Sequence, residues 1–143
     1  MKLFHYLYTM KRYWKKDKVS DLTKKELYTF IQGLYDLCVD NLGVNNRKRI
    51  KLSCDLEYTS SKNYGWYCPT DNKIIISIYN CKTIGQLTSA FIHEYTHSLQ
   101  PCLTKYNKLY KSHGYNNHPF EIEARANEKI YTNLLLREFR KTL

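Results

Sequence analysis

Two histidines with a glutamate beside them, His93, Glu94 and His97 in the run FIHEYTHSLQ, are the side chains of this chain best suited by type and spacing to chemistry. On a helix, positions four apart share one face, so the two imidazoles lie side by side and can hold one divalent ion. H-E-x-x-H at this spacing is the pattern of a zinc hydrolase, with Glu94 on the flank where a coordinated water would lie. Zinc in such a site lowers the pKa of its water toward about 7, and the carboxylate takes the proton and later hands it to the leaving amine. The site needs a third protein ligand and an open fourth position. His113, His118 and Glu121 are the downstream candidates.

Glu121 is favoured on helical grounds. Pro119 opens a long helical stretch, FEIEARANEKIYTNLLLREF, and sets this carboxylate in its first turn. Ala124, one turn on, is small enough to let that helix approach the H-E-x-x-H helix closely. Glu123 points to a different side, where a solvated carboxylate is its ordinary state. His113 and His118 fall in a stretch rich in Gly and Asn, expected to be flexible, from which either can line the site as a proton donor or substrate contact.

The elements that must position these groups are legible around them. Thr83 followed by Gln86 is a capping-box start, Ile84, Leu87, Ala90 and Phe91 form an apolar stripe, and Pro101 stops the helix just after the motif. Upstream, KIIISIY at 73–79 is a β-branched run that predicts a strand leading into the active helix. Thr23 with Glu26 is a second capping box, and Leu27, Phe30, Ile31, Leu34 and Cys38 recur at helical spacing until Gly43. Between them, Ile50, Leu52, Cys54 and Leu56 alternate with mostly polar residues, and YGWYC joins KIIISIY across the turn P-T-D-N as a hairpin. The expected fold class is α+β: a helix, a three-stranded mainly antiparallel sheet, the H-E-x-x-H helix and a third-ligand helix.

HEYTH followed 24 residues later by E-I-E-A resembles the zincin metallopeptidases of the glutamate-ligand type, and among them the small ImmA/IrrE-like group. The motifs cover residues 83–128, and the order of elements extends the likeness from 24 to 141. The resemblance implies a minimal zincin-like fold, one Zn2+ per chain held by His93, His97 and Glu121, Glu94 as the catalytic residue, and Ala124 as the small packing residue. It also implies a protein or peptide substrate held in extended form along an edge strand, for which KIIISIY is the expected candidate. The chain departs from that group's pattern at Arg125, Asn127 and Glu128. A second likeness, to SprT-like proteases, rests on His113 followed by Gly114 and implies a DNA-associated protease with His113 as third ligand.

Composition bounds the rest. At 143 residues and 43% hydrophobic the chain can bury one core, and no linker-like stretch divides it, so a single domain spans 1–143 with a basic, aromatic N-terminal segment at 1–19. Leu3, Leu7, Met10 and Trp14 in that segment fit one helical stripe that packs on the domain. Its apolar part is short and broken by His5, Tyr6 and Tyr8, which is not the pattern of a signal peptide, and no segment is long and apolar enough for a membrane span. Five cysteines, never spaced C-x-x-C, argue against a disulfide framework or a structural zinc site, and for an intracellular, cytoplasmic protein. The net charge of +10, with a second basic cluster RKRIK at 47–51, admits a nucleic-acid partner, although lysine is abundant throughout. A basic nucleic-acid-binding module on the same fold without turnover is therefore the alternative from another class. Of fourteen tyrosines, Tyr95, Tyr110 and Tyr115 lie near the motif as possible oxyanion stabilisers.

Overall fold

A computed structural model of the chain describes residues 10–14, 18–58, 63–101 and 103–141, the side chains of 140 and 141 excepted. The first long helix, α1 (Lys24–Leu42), starts where the sequence predicts. Thr23 Oγ1 accepts the Glu26 N–H at 3.1 Å while Glu26 Oε1 accepts the Thr23 N–H at 3.0 Å, a reciprocal capping box. Leu27, Phe30, Ile31, Leu34, Leu37 and Cys38 form its buried face, and the chain leaves at Gly43, whose φ of 81° suits glycine.

Three strands follow: β1 (Ser53–Glu57), β2 (Gly65–Cys68) and β3 (Lys73–Ser77). Their order in the sheet is β1-β3-β2, so β3 lies in the middle. β2 and β3 are the expected antiparallel hairpin, closed by a turn in which Asn72 takes a φ of 47° and donates a side-chain hydrogen bond to the Ile50 carbonyl at 2.7 Å. β1, however, pairs with β3 in parallel, from Ser53 opposite Lys73 to Glu57 opposite Ser77. The sheet is thus mixed rather than mainly antiparallel. The cause is apolar content: β3 carries Ile74 and Ile76, both fully buried, and the central position covers such a strand on both edges. KIIISIY is therefore not the substrate-accessible edge expected of it, and it ends at Ser77, where the N–H groups of Asn80 and Cys81 turn back onto the Ser77 carbonyl. Among the described residues, the strand that leaves an edge unpaired beside the next helix is β2.

That helix, α2 (Ile84–Leu99), is the hub of the molecule, packing against α1, β2, β3 and the last helix. Thr83 and Gln86 cap it reciprocally, as the sequence implies. Leu87, Phe91 and Tyr95 form one buried face, and Ala90, Ile92 and Thr96 are buried on other sides of it, which fits an element enclosed by neighbours. After Pro101 the chain forms a helix the sequence reading did not anticipate, α3 (Leu103–His113), none of whose residues is buried. Gly114, at φ 73°, ends it and sends the chain into the last helix, α4 (Pro119–Lys141). α4 lies along α2 through Ala124, which is fully buried as its small size requires. The segment at 10–14 is helical; Met10 is buried against Gly33 of α1, and Trp14 meets Phe139 of α4 with ring centroids 4.9 Å apart. Leu3 and Leu7 lie outside the described residues. The architecture is α+β, and no helix among the described residues is long and apolar enough to cross a membrane.

Candidate metal centre

His93 and His97 occupy the last two turns of α2, with ring centroids 5.0 Å apart. Ligand atoms of His93, Glu94 and His97 all fall within 4.8 Å of one another, as the i, i+4 spacing requires. Glu121 comes to them from α4. Its Oε1 lies 2.6 Å from His97 Nε2, its Oε2 lies 3.5 Å from His93 Nε2, and its side chain is only 4% exposed.

The position of Glu121 is set by an unexpected cap. His118 is not a loop residue facing the cleft; it is fully buried. Its Nδ1 accepts the Phe120 N–H at 3.0 Å and its Nε2 donates to the Tyr106 carbonyl at 2.9 Å. The first contact caps the N-terminus of α4, and the second ties that cap to α3, with the Tyr106 and His118 rings stacked at 4.0 Å. Glu121 then falls at the third position of the helix, where the helix dipole favours a carboxylate.

Both imidazoles are also held from behind. Glu128 Oε2 meets His93 Nδ1 at 2.9 Å and Gln100 Oε1 meets His97 Nδ1 at 2.6 Å, which keeps each Nε2 turned inward. Gln100, the C-cap of α2, is itself steadied by donating to the Phe120 carbonyl (2.9 Å) and to Glu123 Oε1 (3.2 Å). Glu123 is accordingly neither beside the imidazoles nor merely solvated. Sequence reasoning missed Gln100 and Glu128, although each had a signal: Gln100 stands three residues after His97, and Glu128 two helical turns after Glu121.

Electrostatics couple the cluster. Burial pushes the His93 imidazole down, but the Glu121 and Glu128 carboxylates beside it and the charge of Glu94 outweigh it and raise its pKa to about 10. His97 moves up too, burial being outweighed chiefly by Glu121. Burial alone would raise Glu121; the two imidazoles overcome it and hold the carboxyl down at about 2. For Glu94 burial wins over the attraction of both imidazoles, and its pKa lies above the usual carboxylate range.

The donor set fits a zinc ion. Two inward Nε2 atoms and a carboxylate are ligands zinc accepts, and Glu121 Oε2 is a buried acceptor with no hydrogen-bond partner among the described residues. Ligands about 2.1 Å from a tetrahedral ion lie roughly 3.4 Å from each other, close to the 3.5 Å between Glu121 and His93. The shorter contact to His97 is a hydrogen-bond distance, which a shared cation would open by less than about 1 Å.

The cluster faces a cleft. One half is a 380 Å³ cavity reached by His93, Glu94, His97 and Glu121; the other, of 960 Å³, shares His93 and Glu94 with it. Gly65 of β2 sits over the glutamate: a Cβ there would lie 3.6 Å from Glu94 Cγ and only 2.8 Å from the Ile75 carbonyl oxygen. Tyr115 lines both halves and stands close enough to Glu121 and Glu94 for burial and their charges to raise its phenol. Gly114 turns the chain there, and Arg125 steadies the turn by donating to the Asn116 carbonyl at 2.6 Å, its guanidinium 6.0 Å from the Tyr115 ring centroid. Tyr95 is instead buried, donating to the Gly43 carbonyl, and Tyr110 lines neither half. His113 is exposed at the end of α3, in contact with Ser112 Oγ (2.7 Å) and the Leu109 carbonyl, and the structure does not bring it to the cluster. No protein-family model, curated protein or solved structure matches this chain.

Proposed function

We propose that this protein is a zinc-dependent peptidase of zincin-like architecture. The observation that carries the reading is the buried Glu121 carboxylate meeting both inward-facing imidazoles of H-E-x-x-H from a second helix, with Glu94 beside them. His93, His97 and Glu121 would hold the ion, which when bound polarises a peptide carbonyl and makes a water acidic. Glu94 takes the proton of the attacking water and returns it to the leaving nitrogen. Tyr115, at the junction of the two halves of the cleft, is positioned to donate its phenolic proton to the oxyanion that develops on the carbonyl. The open edge of β2 supports an extended polypeptide as substrate, because backbone pairing there would draw a peptide bond across Glu94.

The test is digestion of a complex peptide mixture by zinc-loaded wild-type protein and by Glu94→Gln. Wild type is expected to cleave, and Glu94→Gln to keep zinc and fold while losing at least about a hundredfold in rate. Equal cleavage by both proteins would refute the assigned mechanism. Cleavage by neither would refute the peptidase reading.

A further inference from the structure

The two halves of the cleft differ in chemistry, and the difference bears on what is cut. The 380 Å³ cavity is walled by Trp66 and Tyr67 from β2, Leu103 and Tyr106 from α3, and Phe120 at the start of α4. Tyr106 is fixed in place by its stack on the buried His118 and by a tilted contact to Phe120, ring centroids 6.3 Å apart. Lys48, the lysine in this wall, lies 3.5 Å from the Pro69 carbonyl oxygen and 5.9 Å from the Tyr67 ring centroid. Lys48 thus stands over the Tyr67 ring, and Trp66, Leu103, Tyr106 and Phe120 are the wall residues left to meet an apolar group. The 960 Å³ half carries Gln86, Ser89, Arg125, Lys129, Thr132 and Asn133 in its wall, and, among the described residues, Tyr64 and Tyr115 are its only aromatic residues besides His93. Glu94, His93 and Tyr115 belong to both, so the reacting groups stand at the boundary.

A strand paired with the edge of β2 and crossing Glu94 must put one flank into each half. We propose that the aromatic cavity is a specificity pocket for a large apolar side chain on one side of the scissile bond, with no comparable ring-lined pocket on the other. This deepens the peptidase reading and rests on it. The occupant follows from the wall: a cavity at the small end of the usual range for ligand sites, lined by rings and closed at its base by a buried stack, favours Phe, Tyr, Leu or Met over a charged residue. Full burial of such a side chain corresponds to roughly a tenfold to hundredfold preference. Leu103, half-exposed at the end of α3, is the wall residue whose replacement least disturbs the fold.

Cleavage sites of zinc-loaded wild type would be mapped by mass spectrometry on a peptide library randomised on both sides of the cut. The expected result is enrichment of large apolar residues by about tenfold or more on one flank only, and a shift of that flank toward Lys and Arg in Leu103→Glu. Cleavage without such enrichment, or an unchanged preference in Leu103→Glu, overturns the proposal. Binding separates this outcome from failure of the peptidase reading. Polar ten-residue peptides carrying one Phe at each successive position, or Asp in its place, would be titrated by fluorescence anisotropy against zinc-loaded Glu94→Gln. At least one Phe peptide is expected to bind about tenfold tighter than its Asp counterpart. Equal affinities at every position overturn the pocket; a tight Phe peptide with no cleavage by wild type supports the pocket and refutes the peptidase.

Discussion

Glu128 acts on His93 from the far side of the imidazole, and its effect belongs to single atoms. By accepting from Nδ1 at 2.9 Å it fixes the tautomer in which Nε2 offers a lone pair. Glu128→Gln keeps the size but loses the charge, and is expected to weaken zinc binding by about tenfold to a hundredfold in a chelator competition, with helical content unchanged. Unaltered affinity would mean that the contact does not orient the ring. Glu121→Ala is expected to abolish tight zinc binding, whereas His113→Ala should retain it, as read by metal content after dialysis. His93, Glu94 and His97 were legible because helical period alone puts them together, and Glu121 because Pro119 marks the start of its helix. Glu128 and the tie of His118 to Tyr106 were not, because each depends on how one helix lies on another; Gln100 and the His118 cap had only the weak local signal of their spacing from His97 and Phe120.

At the scale of elements, the close approach of β2 to β3 above Glu94 depends on one glycine. A methyl group at position 65 would press on the Ile75 carbonyl at 2.8 Å and on Ile76 Cδ1 at 3.1 Å. Gly65→Ala is therefore expected to cost about 1–3 kcal/mol in denaturant unfolding, and to lower turnover more than zinc content because β2 would be lifted from Glu94. Wild-type stability would show that the strand shifts freely. Both long capped helices and the β2–β3 hairpin were readable from Thr23, Thr83 and the P-T-D-N turn, whose signals are local. The parallel pairing of β1 with β3 was not, since it joins residues twenty apart across a strand, β2, that intervenes in the sequence. α3 escaped notice for another reason. Its stripe of Leu103, Tyr106, Leu109 and Tyr110 is short, set among lysines, and none of it is buried.

For the whole molecule, the buried His–Glu cluster makes stability depend on pH and on metal in opposite senses. In zinc-free protein, His93 is raised from 6.5 to about 10, so its contribution is complete below pH 6.5 and is lost as pH rises through about 10. Glu121 is lowered from 4.5 to about 2; its contribution is present above pH 4.5 and lost as pH falls through about 2. Zinc needs the imidazoles deprotonated, so its stabilisation grows over the range in which that of the proton fades. The gap in Tm between zinc-loaded and chelator-stripped protein is expected to widen from pH 6.5 toward 9, and a constant gap in calorimetry would contradict the assignment. The tilted contact of Trp14 with Phe139 carries this further, because α4 supplies Glu121 at one end and the seat of the N-terminal segment at the other. An ion shared by α2 and α4 would act as a rivet on that beam. Its withdrawal should be felt some 18 residues along α4 as faster amide hydrogen exchange, and beyond it in the 10–14 segment that leans there.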